Sequence, residues 1–169
     1  MNEIVESSPV GRLLLQSNGA AVTGLTWTRG RHAKGSSDRV LAKAAAWLND
    51  YFARRFRPVD FPVRAEGSEH QQRVWAALRE IPLGAVATYG DVAREIGSAP
   101  RAVGTACGAN PVTIVIPCHR VVGAAGSLGG YSGTGGLGTK RKLLQLEAAP
   151  LAARTPLFEG LEARRATAR

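Results

Sequence analysis

The sequence predicts an α/β protein with a small mixed N-terminal domain and a mainly helical second domain. Three observations predict it. Leu13-Leu14-Leu15-Gln16 and Ala21 to Trp27 flank Ser17-Asn18-Gly19, and apolar runs on either side of an Asn-Gly pair read as a β-hairpin. Asp38 stands before Leu41, Ala44, Ala45, Leu48, Tyr51 and Phe52, which recur at helical spacing behind a capping residue. After Gly67 the chain changes to short capped helical segments punctuated by Pro and Gly. Boundaries follow at residues 1–66, 67–150 and 151–169, the last an Arg/Ala-rich tail expected to be partly ordered.

Taken in order, residues 28–37 are polar and Gly/Ser-containing, a loop. The Asp38 helix is expected to end in Arg54-Arg55-Phe56-Arg57, where cations complement the helix dipole. Phe61-Pro62-Val63 reads as a short edge strand and Ala65-Glu66-Gly67 as a linker. Ser68-Glu69-His70-Gln71 has the capping-box form, followed by an apolar stripe of Val74, Trp75, Leu78 and Ile81 that makes Trp75 a core residue. Pro82-Leu83-Gly84 breaks that helix. Thr88 caps a helix over 89–96 that closes at Gly97, and Pro100 sits in the first turn of another, Arg101 to Gly108.

Two short helices with a small-residue second member have the outline of a helix-turn-helix, although a generic helical hairpin fits the same pattern. The second helix has a smooth surface able to approach a nucleic-acid backbone, with one long cation, Arg101, at its leading end; a tightly packed interior helix would look the same. Gly123 to Gly138 is glycine-rich, a loop in which Tyr131 and Ser132 are candidates for a pocket wall. Its spacing fails as a P-loop because Thr139 precedes Lys140, and fails as a nucleophile elbow because the final glycine of G-x-S-x-G is missing after Ser132. A last helix is expected from Lys140 to Glu147, with Leu143, Leu144 and Leu146 for the core.

Lys plus Arg outnumber Asp plus Glu by 22 to 13 in 169 residues, a net charge of +9. That excess favours a polyanionic partner such as nucleic acid; the bland alternative is a basic, unspecialised surface. No run approaches the roughly 18 apolar residues of a membrane span, and the N-terminus, with Glu3 and Glu6, lacks a signal pattern. A cytoplasmic location follows. There a structural disulfide between the only cysteines, Cys107 and Cys118, is disfavoured. Two cysteines and three histidines without paired spacing give no metal site.

The chemistry points to Ile114-Val115-Ile116-Pro117-Cys118-His119-Arg120-Val121-Val122, two strand-like pieces bracketing a thiol, a base and a cation. A free thiol has a pKa of about 8.5, so a nucleophilic Cys118 needs activation. His119 and Arg120 are adjacent, and Glu147 can orient the imidazole if the last helix packs back. Neighbouring side chains usually point apart, so a water bridge from Cys118 to His119 fits better than a direct bond. A buried, inert Cys118 is the competing reading.

Pro117-Cys118-His119-Arg120-Val121-Val122 resembles the active-site motif of the O6-alkylguanine-DNA alkyltransferases. Gln71-Gln72-Arg73-Val74-Trp75, Ile81-Pro82-Leu83-Gly84, Thr88-Tyr89-Gly90, Arg101-Ala102-Val103-Gly104, Asn110-Pro111 and Gly130-Tyr131-Ser132-Gly133 follow in the family's order, and Lys140 to Glu147 completes it. The resemblance is strong over residues 68–147 and weaker before. It implies a ribonuclease H-like first domain and a helix-turn-helix in the second. It implies direct-reversal repair without a cofactor: Cys118 takes the alkyl group from O6 of guanine, with O4-alkylthymine a second candidate, and is consumed. His119 would act through a water, Glu147 would hold the imidazole, Asn110 would tie the turn, and Tyr89 would crowd the target phosphate and help protonate the leaving guanine. Arg101, with Ala102, Gly104, Thr105 and Tyr89, would contact double-stranded DNA in the minor groove, Arg101 filling the stack behind the extruded base. Tyr131, Ser132 and the backbone near Val121 would line the pocket. The expected state is a monomer, cooperative or not on DNA.

Three departures stand out. Ser132 to Leu137 is two residues longer than the family's usual loop, which leaves alkyl-size preference open; His70 replaces a common aromatic; Cys107 replaces an apolar residue and is expected to be buried and unreactive. A non-enzymatic damage sensor of similar sequence would lack Cys118. A methyl-dependent regulator would need a further domain, and a Cys–His hydrolase would leave the DNA-reading helix unexplained.

Overall fold

The structure, a computed structural model, describes residues 1–30 and 37–148. Most of the expected 28–37 loop and the whole 151–169 tail lie outside the described residues. The chain opens with an antiparallel sheet of β1 (Asn2–Ser8), β2 (Gly11–Ser17) and β3 (Val22–Trp27), in that spatial order. The β2–β3 hairpin is the expected one, and Asn18 Oδ1 closes its turn by accepting from the backbone of Ala20 and Ala21 at 3.0 and 2.9 Å. β1 was not expected. Its sequence, NEIVESS, carries little apolar alternation because it forms the half-exposed edge of the sheet. β2 alternates cleanly, burying Leu13, Leu15 and Ser17.

Helix α1 (Arg39–Phe52) packs its Leu41, Ala44, Leu48 and Tyr51 stripe on the sheet side. The Asp38 carboxylate caps it, accepting from Val40 N at 2.7 Å and Leu41 N at 3.2 Å, and also from the Ser17 hydroxyl of β2. The helix stops at Phe52, short of the arginine run. Arg54 takes a left-handed φ of 59°, and Arg55 and Arg57 turn back onto Asp50 at 2.7 and 2.8 Å. Those cations therefore neutralise a carboxylate and do not sit in the last helical turn. Phe61 to Val63 contributes only a single parallel bridge, Val63 to Val22 of β3.

Helix α2 (Glu69–Arg79) starts with the expected Ser68/Gln71 capping box. β4 (Ala87–Thr88) leads into α3 (Tyr89–Ile96), capped by Thr88 and closed by Gly97 at φ 63°, a left-handed position that glycine takes without a Cβ clash. After Ser98 and Ala99 comes α4 (Pro100–Gly108), which carries Pro100 in its first turn. Three side chains of α2 hold this pair: Trp75 Nε1 donates to Ala106 O at 2.9 Å, His70 Nε2 meets Ser98 Oγ at 2.8 Å, and Arg73 reaches Ile96 O. β5 (Val121–Val122) pairs in parallel with β4. The last helix, α5 (Gly136–Leu146), begins within the glycine-rich stretch rather than at Lys140.

One continuous core runs from Leu13 and Leu25 in the sheet through Leu48, Trp75 and Ile116 to Leu143 of α5. The sheet also grips the approach to Cys118. Leu25 N donates to Pro111 O at 2.8 Å, and Leu25 O accepts from Thr113 N at 3.0 Å and Thr113 Oγ1 at 2.7 Å.

Candidate active site

Ile114 to Ile116, expected as a strand, form tight turns instead. Thr113 and Ile116 bridge, and Ile114 between them has φ 70° while only 2% exposed. A β-branched residue rarely adopts that conformation. It is held here by Val115 N donating to Thr113 O at 2.8 Å, and the next turn, around Pro117, closes with Cys118 N to Ile116 O at 2.8 Å. Asn110 ties the two ends together: its Nδ2 donates to Ile116 O at 2.8 Å and its Oδ1 accepts from Val112 N at 3.0 Å. These turns deliver Cys118 at the start of a single 3-10 turn, Cys118–Arg120.

Cys118 is 4% exposed. Burial pushes its thiol up, while the hydrogen bond from Asn110 and the charge of Lys140 pull the other way. The resting thiol is therefore protonated, and attack by sulfur requires a base.

His119 is fully buried, and burial pushes its imidazole below the usual range, so it is neutral near pH 7 and able to accept a proton. Its Nε2 lies 2.8 Å from Glu147 Oε1. Glu147, despite its own burial, is held down at about 2 by its bonds to His119 and Arg120. A carboxylate only accepts, so Nε2 carries the hydrogen and Nδ1 is the basic atom. Nδ1 is buried and has no hydrogen-bond partner among the described residues. Arg120 points away from the thiol. Its Nε and Nη2 donate to Glu147 Oε2 and Oε1 at 2.8 and 3.0 Å, and its Nη1 donates to Ile81 O at 2.7 Å. The cation that acts on Cys118 is Lys140, fully buried in α5, with Nζ donating to Val121 O at 2.5 Å and Gly130 O at 3.1 Å. Burial lowers the Lys140 ammonium to about 8.

Cys118 opens onto a cavity of about 670 Å³ walled by Tyr89, Tyr131 and Ser132 on one side. Arg101, Gly104, Thr105 and Cys107 of α4 form the other. Tyr131 is braced edge-on against Trp27 of β3, with ring centroids 5.8 Å apart. Tyr89 OH donates to Gly130 O at 3.3 Å, and Gly129 (φ 67°) leaves room for the Tyr89 ring, which an added Cβ would meet at 2.8 Å. Cys107 is buried, as expected, and pushed up to about 12 by burial, and it lines the same cavity as Cys118.

The sequence is 41% identical over 159 residues to a methylated-DNA–protein-cysteine methyltransferase of Mycobacterium tuberculosis, covering 90% of this chain and 95% of that one. The chain belongs to the methylated-DNA–protein-cysteine methyltransferase family. A Haemophilus influenzae family member is 41% identical over 152 residues, 85% of this chain and 84% of that one. Residues 69–149 match the model of the 6-O-methylguanine DNA methyltransferase DNA-binding domain. In three dimensions the chain is similar to the crystal structure of M. tuberculosis OGT in complex with DNA, with a TM-score of 0.79, 41% identity, and coverage of 89% of this chain and 96% of that chain. An O6-methylguanine DNA methyltransferase from Methanococcus jannaschii superposes with a TM-score of 0.66 at 28% identity, over 90% of this chain and 97% of that chain.

Within this methyltransferase fold, the structure brings Cys118, Tyr89, Arg101, Gly104, Thr105, Tyr131 and Ser132 to one cavity, with His119, Glu147 and Asn110 packed behind it. Ala102 is half-buried beside Arg101 and is not among the cavity's lining residues. Val121 does not line it either: its side chain is in the core and its carbonyl is taken by Lys140. Lys140 is the functional residue that sequence reasoning missed. The signal was present, since Lys140, Leu143, Leu144 and Glu147 form one i, i+3, i+4, i+7 stripe, so both charged residues share the buried face with the two leucines.

Proposed function

We propose that this chain is a single-use DNA repair protein that moves the alkyl group from O6 of an alkylated guanine in double-stranded DNA onto Sγ of Cys118, with O4-alkylthymine as a second substrate. The observation that carries this is a buried thiol at the end of a cavity, backed by a neutral imidazole whose Nδ1 has no hydrogen-bond partner among the described residues. A water relays the thiol proton to Nδ1. Sulfur then attacks the alkyl carbon in line, the carbon–O6 bond breaks, and its electron pair stays on the guanine. Tyr89 supplies a proton to that leaving base. Burial raises its phenol to about 12, which keeps it protonated, and its 3.3 Å bond to Gly130 O is long enough to yield to a substrate. Lys140 steadies the thiolate as it forms.

A base inside a duplex cannot reach this cavity, so the nucleotide must be extruded, at a few kcal/mol. Helices α3 and α4 form the helix-turn-helix in this reading. Ala102, Gly104 and Thr105 approach the minor groove, Arg101 fills the gap left in the stack, and Tyr89 crowds the target phosphate. Support comes from the exposure of Arg101 and Thr105 at the cavity rim and from the DNA complex of the M. tuberculosis neighbour. The reading divides the chain into a ribonuclease H-like domain, 1–66, and a DNA-binding and transfer domain, 67–150, acting as a monomer in the cytoplasm; the family-model match over 69–149 supports the division.

Incubation with O6-methylguanine DNA, followed by intact mass and peptide mapping, should show one methyl group on the peptide containing Cys118 and none in Cys118→Ala. Folded protein that acquires no adduct refutes the proposal.

A further inference from the structure

Tyr51 has no part in the chemistry described so far. It belongs to α1 and is 3% exposed, with its ring stacked on Trp47 at 5.5 Å and met edge-on by Phe52 at 5.2 Å. Its hydroxyl donates to Glu147 Oε1 at 2.7 Å, across 96 residues of sequence. That is the same oxygen His119 Nε2 approaches at 2.8 Å. We infer that Tyr51 is a positioning residue for alkyl transfer, which sets how strongly Glu147 draws on His119; the inference rests on the proposed role of Cys118.

The packing around the ring would be met equally by phenylalanine, so the hydroxyl is the part to explain. Glu147 Oε1 accepts from Tyr51, His119 and Arg120 Nη2 together. Every donor other than His119 stabilises carboxylate charge that would otherwise favour the imidazolium. The charged and titratable groups facing this oxygen and this ring come from four elements: Tyr51 from α1, Arg120 from the 3-10 turn, Lys140 from α5, and Tyr131 from the loop before α5. Arg120 and Lys140 both disfavour a charged His119, and the Tyr51 hydroxyl acts in the same direction through Glu147. Tyr51 remains a donor throughout, because burial and then the Glu147 charge push its phenol well up. The first domain thereby reaches into the relay behind the thiol.

The sign follows directly. Removing the hydroxyl leaves more Oε1 charge for His119, which then holds its proton to higher pH, so the acid limb of the rate profile moves up. The test is the rate of benzyl transfer from free O6-benzylguanine to Cys118 against pH, in the unmodified protein and in Tyr51→Phe. An upward move of the acid limb by about half a pH unit, equal to about threefold in rate at a fixed acidic pH, supports the inference. A limb at unchanged pH overturns it, whatever happens to the plateau. If Tyr51→Phe does not fold, NMR of the unmodified protein decides. A slowly exchanging Tyr51 hydroxyl proton whose resonance follows the titration of His119 supports the inference, and a fast-exchanging one indifferent to His119 overturns it. Absence of any Cys118 adduct in the unmodified protein overturns this inference and the parent reading together; an adduct with an unshifted limb overturns this inference alone.

Discussion

At Cys118, burial and reactivity pull in opposite directions. The thiol sits where its anion is disfavoured, with the neutral imidazole of His119 next in sequence and a cation, Lys140, within electrostatic reach. Lys140 is itself at the edge of its charged range, being lowered to about 8. As pH rises past that point the cation is lost, so the transfer rate should fall on the alkaline side of its profile. Lys140→Met should remove that alkaline fall and lower the rate near pH 7 by about tenfold, the equivalent of ~1.4 kcal/mol of thiolate stabilisation. A stopped-flow pH profile with free O6-benzylguanine checks both. The adjacent His119 offers a different atom: its Nδ1, without a hydrogen-bond partner among the described residues, is the proton acceptor we propose, and Arg120, although next in sequence, bonds Glu147.

Among the elements, α4 carries the DNA-facing expectations and α2 carries α4. Arg101→Ala should slow repair of duplex O6-methylguanine by tenfold or more while leaving reaction with the free base within about twofold, since only the duplex requires base extrusion. Trp75→Phe removes the bond to Ala106 O and should destabilise the fold by about 1–2 kcal/mol, read from urea unfolding. The helices with side-chain caps, α1 to α3, were legible in the sequence because Asp38, the Ser68/Gln71 box and Thr88 are local devices whose partners lie within a turn. What was illegible depends on distant contacts. β1 is polar because one edge faces solvent, so its pattern is faint. Ile114 to Ile116 look like a strand because β-branched residues favour one, but Asn110 and Leu25 hold that segment in turns. The start of α5 is hidden by glycines, which depress helix propensity. The Cys–His–Glu set was readable in sequence, whereas the Tyr51 contact to Glu147 joins α1 to the end of α5 and has no local signature.

For the whole molecule, the buried relay also makes stability depend on pH. His119 is lowered in the fold, so between its folded and unfolded values the unfolded chain binds more protons and stability falls as pH drops below about 6.5. Glu147 is lowered to about 2, so its contribution is complete above the ordinary glutamate value of 4.5 and is lost as pH falls from there towards 2. Thermal melts from pH 8 to 3 should therefore show a declining Tm on acidification, and His119→Asn should flatten the upper part of that decline. The net charge of +9 adds a second global expectation: affinity for DNA should weaken steeply with salt as phosphate contacts release counterions. A single-use protein spends Cys118 and does not recycle it. The most direct measurement is the number of guanines restored per protein molecule, with O6-methylguanine DNA in increasing excess. A plateau at one is expected, reached together with full methylation of Cys118. Product that keeps rising beyond one per protein, with Cys118 unmodified, would contradict it.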